Sequence, residues 1–306
     1  MNSIDQISLN FDPAALDLLN LILALVMFGV ALDLKVADFK RVLRQPKAPL
    51  IGLASQFFIM PAFACLILMI LQPHPSLALG IILVAACPGG NVSNFFTSLG
   101  RGNAALSVSM SAISTMCSIV MTPFNFLFWG GINPQTADLV RNISVSPADI
   151  LGTVVTILVV PTILGMAVGQ WRPGLAARLL KPMRYLSILV MVGFVVLAFA
   201  ANWQNFLQHI GLAFWIVFIV NGAALLLGFN LGRLTGLQRD DCKAVAFETG
   251  IQNTAFGLIL IFNFFGGLGG MALIAAWWGV WHLITGLSLS LFWSSQAKRA
   301  AQVQAA

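Results

Sequence analysis

Runs of about 20 apolar residues recur along this chain, and that is the length an α-helix needs to cross a hydrocarbon core of roughly 30 Å. Nine runs are separable, at 14–34, 49–71, 76–98, 104–130, 149–170, 185–203, 210–232, 244–265 and 271–293. They are continuously apolar, whereas a membrane β-barrel would show ten-residue segments of alternating polarity. With 59% of the residues hydrophobic and 8% charged, a soluble globular domain is excluded as well. The sequence therefore predicts an all-α polytopic membrane protein with nine transmembrane helices.

The basic residues test that count, because short cytoplasmic loops retain Lys and Arg. Lys35, Lys40, Arg41, Arg44 and Lys47 follow the first run, Arg101 the third, and Arg172, Arg178, Lys181 and Arg184 the fifth. Arg233, Arg239 and Lys243 follow the seventh, and Lys298 and Arg299 the ninth, so only Arg141 falls on the other side. Nine spans, N-terminus outside and C-terminus cytoplasmic, produce this asymmetry; eight or ten would scramble it. Positive charge distributed over membrane-flanking loops accounts for the pI near 9.6 without a nucleic-acid partner. No obligate protein partner is inferred; the partners expected are lipid and the solutes discussed below.

The flank of the first run carries Asp5, Asp12 and Asp17 instead of a basic n-region, so no cleaved signal peptide is expected. Cys65, Cys87, Cys117 and Cys242 show no metal-ligand spacing and are expected to be free thiols. The sequon Asn142, Ile143, Ser144 falls on an outside loop and matters only in a glycosylating host.

Two runs break their own pattern. The third contains Cys87, Pro88, Gly89, Gly90, Asn91, Val92, Ser93 and Asn94 in its middle. Proline removes a backbone donor and the two glycines weaken a helix, so the helix is expected to unwind near Pro88. The eighth has a comparable interruption at Glu248, Thr249, Gly250, Ile251, Gln252, Asn253 and Thr254. Unwound backbone in a bilayer must be buried in protein or line a cavity. Two interrupted helices at corresponding positions of two halves point to a transporter site. The positions correspond if the first four runs form a repeat lacking its first helix. The plainer reading is that Pro and Gly merely kink a helix or let two helices pack closely.

Glu248 is the only Glu in the chain and the only acid well inside a run. Burying a carboxylate in a bilayer is costly unless it is protonated or paired. No Lys or Arg within the runs can pair with it, and Lys243 lies at the cytoplasmic end of its own run. A cation from solution, sodium or a proton, remains. Hard cations take oxygen ligands, and Gln56, Ser93, Asn94, Ser107, Ser111 and Gln252 supply them, with Ser107 and Ser111 on one face of the fourth helix. Each of these has an alternative structural role, as a hydroxyl bonded to its own backbone or an amide bridging helices.

These residues carry a resemblance to the bile acid sodium symporter family, in particular its bacterial members. The similar stretches are Gln56 to Pro61, Cys87 to Asn94, Arg101 to Asn103 with Ala105 to Val108, and Glu248 to Asn253. The resemblance implies an inverted-repeat fold with two crossing broken helices near 87–94 and 248–254. A core domain (49–130 and 210–293) would stand against a panel domain (14–34 and 149–203). It implies two sodium sites, one of Ser93, Asn94, Ser107, Ser111 and Glu248, the other of Gln56, Glu248, Gln252 and the carbonyls of Thr249 and Ile251. Relatives often have ten helices, and this chain begins where their second does. Asn91 stands where relatives often have Thr and Leu283 where they often have Asn, so substrate identity does not transfer.

The expected function is symport of a small organic anion with sodium, the cargo resembling pantoate or a keto acid more than a bile acid. Asn91 and Asn253 are the candidate substrate contacts, with His282 a further one; a lone membrane His is otherwise a helix-bridging group. The alternatives are proton coupling, a ligand sensor without turnover, and an intramembrane enzyme. The last is disfavoured because the runs hold no carboxylate pair, no metal motif and no nucleophile with an activating base.

Overall fold

The structure, a computed structural model, describes residues 13–32, 34, 44–90, 92–142, 152, 155–201 and 203–305. Asn91, Asp5, Asp12, Lys35, Lys40, Arg41, Ile143, Ser144 and the start of the fifth run at 149–151 lie outside the described residues. In chain order the helices are α1 (Pro13–Ala31), α2 (Lys47–Leu71), α3 (Pro75–Ala86), α4 (Val92–Leu99), α5 (Ala104–Ile132) and α6 (Ala137–Asn142). They continue with α7 (Val155–Trp171), α8 (Pro173–Ala201), α9 (Trp203–Leu234), α10 (Arg239–Gly250), α11 (Thr254–Phe264) and α12 (Gly269–Ala305). Among the described residues, α2, α5, the Ala213–Leu234 part of α9 and the Gly269–Ala297 part of α12 are each long and apolar enough to cross a bilayer. The third and eighth runs are split, into α3 with α4 and α10 with α11. This is an all-α polytopic membrane protein.

Two helices depart from simple α geometry for one reason. Ser55–Ile59 in α2 and Val155–Val159 in α7 form π turns, and each precedes a proline, Pro61 and Pro161. Proline lacks the N–H that would close onto the carbonyl four residues back, and its ring crowds that carbonyl. The wider turn absorbs the misfit, and such turns cluster at functional positions. The π turn of α2 contains Gln56.

Helices α1, α7 and α8 pack on one another; α3 lies along α5 and α12; and α10 is enclosed by α9, α5 and α4. That enclosure explains an oddity of composition. The first turn of α10 carries Asp240 and Asp241, yet every residue from Cys242 to Gly250 is buried, so protein rather than lipid surrounds it.

Helix α5 presents Ser107, Ser111, Ser114, Ser118, Thr122 and Asn125 as buried residues, spaced by three or four and so on one face. This polar stripe runs behind the break between α3 and α4. Thr122 Oγ1 donates to the Ala86 carbonyl at 2.8 Å, satisfying an end of α3, and Ser114 Oγ accepts from Gly89 N at 3.0 Å. Thr122→Val keeps the volume and removes the donor. It is expected to lower stability by about 1 kcal/mol, read as a fall in melting temperature of the detergent-solubilised protein.

Candidate functional site

Helix α3 stops where Pro88 withdraws a donor, and Cys87 turns extended. Helix α10 runs three residues further than its sequence suggests, through Gly250. Glu248 and Thr249 are still helical, and the break is confined to Ile251–Asn253. Nothing in Glu248 or Thr249 breaks a helix, whereas Gly250 is tolerated as a last residue before extended backbone. The carboxylate is therefore held on a rigid turn rather than on the unwound segment.

The two extended segments satisfy each other. Gly90 N donates to the Ile251 carbonyl at 2.7 Å and Asn253 N to the Pro88 carbonyl at 2.9 Å, around an antiparallel bridge between Gly89 and Gln252. These bonds meet part of the demand that burial places on unwound backbone. Both glycines are needed for close approach, since a Cβ on Gly89 would run into the Glu248 carboxylate and one on Gly90 would lie 3.0 Å from the Gln252 carbonyl oxygen. Helices α3 and α10 reach this crossing with their C-termini, and α4 and α11 leave it with their N-termini.

All five residues assigned from sequence to the first ion site meet here. Glu248 is 0% exposed. Its Oε2 accepts from Ser111 Oγ at 2.8 Å and from Ser93 Oγ at 3.2 Å. Asn94 Oδ1 accepts from Ser107 Oγ at 2.7 Å, and Ser111 Oγ lies 3.2 Å from the same atom. Each hydroxyl has a single proton, so Ser111 cannot serve Glu248 and Asn94 together. The cluster is rich in acceptors and short of donors, and Glu248 Oε1 has no hydrogen-bond partner among the described residues.

The second group is arranged differently. Gln56 Nε2 donates to the Cys87 carbonyl at 2.7 Å and to Gln252 Oε1 at 2.8 Å. Gln252 Nε2 donates to the Thr249 carbonyl at 2.7 Å and to Gln56 Oε1 at 3.3 Å. Gln56, Thr249 and Gln252 are thus joined, while the Ile251 carbonyl faces Gly90 N in the bridge. The amides satisfy one another, so this group is closed where the first is open.

Of the substrate-contact candidates, Asn91 lies outside the described residues, and Asn253 and His282 stand on different elements. Asn253 caps α11, its Oδ1 accepting from Phe256 N at 3.1 Å. His282 on α12 is buried with both ring nitrogens unpartnered among the described residues. One turn to either side, a Cβ on Gly279 would meet Thr254 and one on Gly286 would meet Phe96 and Ile251, so the imidazole lies level with the breaks. Four participants are absent from the sequence reading. Ser114 holds Gly89 N, and Thr97 donates to Ser107 Oγ at 3.2 Å. Ser55 Oγ accepts from Thr249 Oγ1 at 2.8 Å, and Asn221 Nδ2 holds the Gly250 carbonyl at 2.7 Å. The 3.6-residue period of hydroxyls along α5 is a signal that finds Ser114; Asn221 and Ser55 are isolated polar residues in apolar helices with no such pattern.

A polytopic helical membrane protein in which two interrupted helices pair their broken segments beside a buried acid has the architecture of a secondary transporter. The chain belongs to the sodium bile acid symporter family, whose model matches residues 20–209. It is 32% identical to the uncharacterized sodium-dependent transporter YocS of Bacillus subtilis over 281 residues, which covers 92% of this chain and 84% of YocS. It is 31% identical to the human ileal sodium/bile acid cotransporter over 77% of this chain and 66% of that protein. A sodium-dependent organic anion transporter of Bos taurus is 27% identical over 84% of this chain and 71% of its own length. Members of this family are transporters, not enzymes.

Proposed function

We propose that this chain is a sodium-coupled symporter that imports a small organic anion. The observation that carries the reading is the Glu248 cluster, whose oxygens outnumber its protons and whose Oε1 is buried without a donor among the described residues. A desolvated carboxylate with an empty acceptor is costly, and a cation ligated by oxygen removes the cost. One sodium is held by Ser93, Asn94, Ser107, Ser111 and Glu248. A second is held by Gln56, Glu248, Gln252 and the carbonyls of Thr249 and Ile251, once the Gln56 and Gln252 amides turn their oxygens to it.

The crossing treats the two signs of charge on its two kinds of helix end. The C-terminal carbonyls of α3 and α10 favour cations, and the N-termini of α4 and α11 favour anions. Two sodium ions against one carboxylate leave about one net positive charge, which draws the anion to Asn91, Asn253 and His282. A pantoate-like acid or keto acid fits this arrangement. Helices α1, α7 and α8 form the panel that moves against the remaining core in alternating access. Nine spans place the N-terminus outside and the C-terminus in the cytoplasm of a bacterial inner membrane, and the inward sodium gradient sets the direction of import.

The test is uptake of labelled carboxylates into proteoliposomes under an inward sodium gradient. Accumulation that collapses when sodium is replaced by choline supports the proposal; binding without translocation would make the protein a sensor, and accumulation driven by a proton gradient alone would replace the coupling ion. Within that assay Gln252→Ala is expected to reduce the sodium dependence of uptake from two-ion to one-ion steepness and to lower the rate about tenfold or more, in line with the loss of a hydrogen-bonded partner of a charge.

A further inference from the structure

The first ion site draws its oxygens from three separate helices, and something must hold those helices in register. Ser93 and Asn94 stand on α4, Ser107 and Ser111 on α5, and Glu248 on α10. Five residues before Glu248, Lys243 has only 6% of its side chain exposed. It is the cation nearest Glu248 in sequence, yet it turns the other way. Its Nζ donates to the Arg101 carbonyl at 2.8 Å and to Asp240 Oδ1 at 2.9 Å.

Arg101 belongs to the turn joining α4 to α5, and its φ of 55° is left-handed, a strained setting for a residue with a side chain. Lys243 holds the carbonyl of that residue. Beside it, Asn103 N donates to the Asp240 carbonyl at 3.0 Å, and Asn103 Nδ2 donates to Asp241 Oδ1 at 2.7 Å. The same Asn103 starts α5 by accepting from Leu106 N at 3.0 Å. Gly102 N closes the turn onto the Thr97 carbonyl at 2.8 Å. From Thr97 the path runs through Ser107 Oγ and Asn94 Oδ1 to Ser111 and Glu248. The contacts make a closed loop, with the ion site at one end and Lys243 at the other, along about 7.5 Å of α10.

We infer that Lys243, with Asn103 and Asp241, is a positioning clamp that fixes α4 and α5 against α10 and so sets the sodium affinity of the Glu248 site. The inference rests on the symport reading above. A buried lysine spent on one backbone carbonyl and an exposed carboxylate adds little stability of its own. Its effect is geometric: it anchors a strained turn whose two flanking helices deliver four of the five ligands. Releasing it lets the ligands spread, and ion affinity falls steeply with small displacements of ligating oxygens.

The experiment is a sodium titration of melting temperature on the full-length purified protein, in parallel with uptake at saturating and limiting sodium. Lys243→Met keeps the aliphatic stem and deletes the ammonium group. It is expected to raise the half-saturating sodium concentration about tenfold, to leave the sodium-free melting temperature nearly unchanged, and to restore uptake when sodium is raised. Lys243→Arg, which keeps the charge and a donor, should return the half-saturation close to wild type. An equal half-saturation in Lys243→Met and wild type would overturn the clamp, and so would a fall in sodium-free stability with no change in sodium dependence. Should Lys243→Met not fold, Asp241→Ala at the open edge of the clamp carries the same expectation and the same refutation. A wild type that itself shows no sodium response would instead overturn the symport reading.

Discussion

Glu248→Gln is expected to abolish sodium-dependent stabilisation and sodium-driven uptake while leaving a folded protein. The substitution keeps the side-chain shape and the acceptor that Ser111 and Ser93 reach, but it removes the negative charge that the two proposed ion positions would share. Without sodium the variant should melt no lower than wild type, because a neutral amide is cheaper to bury than a carboxylate with an unfilled acceptor. With sodium the two proteins should diverge. An ion at a hundred times its dissociation constant stabilises the state that binds it by about 2.7 kcal/mol, and the variant should forfeit all of it. The measurement is melting temperature against sodium concentration for both proteins, with uptake in proteoliposomes alongside. A sodium response of wild-type size in Glu248→Gln would remove the ion from this carboxylate. Loss of folding is separable, because it would show in the sodium-free melting curve.

Much of this was legible before any coordinates. The break at Pro88 follows from a proline that cannot donate within a helix, and the one after Gly250 is marked by a residue that weakens a helix without ending it; Glu248 is conspicuous because a lone acid in an apolar run has no cheap reason to be there. The grouping of Ser93, Asn94, Ser107 and Ser111 with Glu248 was implied by the family resemblance, and the i, i+4 spacing on α5 added only that its two serines share a face. What could not be read was contact between residues far apart in the chain. That Asn221 supports the Gly250 carbonyl, or that Lys243 is spent on the Arg101 carbonyl, depends on which helices become neighbours, and apolar membrane helices carry little periodicity to tell one face from another. The exact end of α10 was missed for a local reason, since a cluster of polar residues looks like an interruption even where the backbone remains helical.

The largest structural effect is expected from the smallest change at the crossing, Gly89→Ala. Gly89 does not have a left-handed backbone, so its requirement is one of space. A methyl group there would occupy the volume of the Glu248 carboxylate, which cannot retreat because it is fully buried and engaged by Ser111 and Ser93. Either the carboxylate is displaced, which dismantles the ion cluster, or the Gly89 segment shifts, which strains the backbone bonds to Ile251 and Asn253. Overpacking of this kind costs about 1–3 kcal/mol, and here it falls on the atoms that bind the ion. Sodium-dependent uptake should be lost in Gly89→Ala, with a melting temperature below wild type even in the absence of sodium. The control is Gly131→Ala on α5, where an added Cβ meets nothing within 4 Å. An alanine inside a helix is favoured over glycine by about 0.5–1 kcal/mol, so that variant should transport normally and melt at or slightly above wild type. Retained uptake in Gly89→Ala would mean that the carboxylate and the unwound segment do not share the tight contact on which the proposed coupling depends.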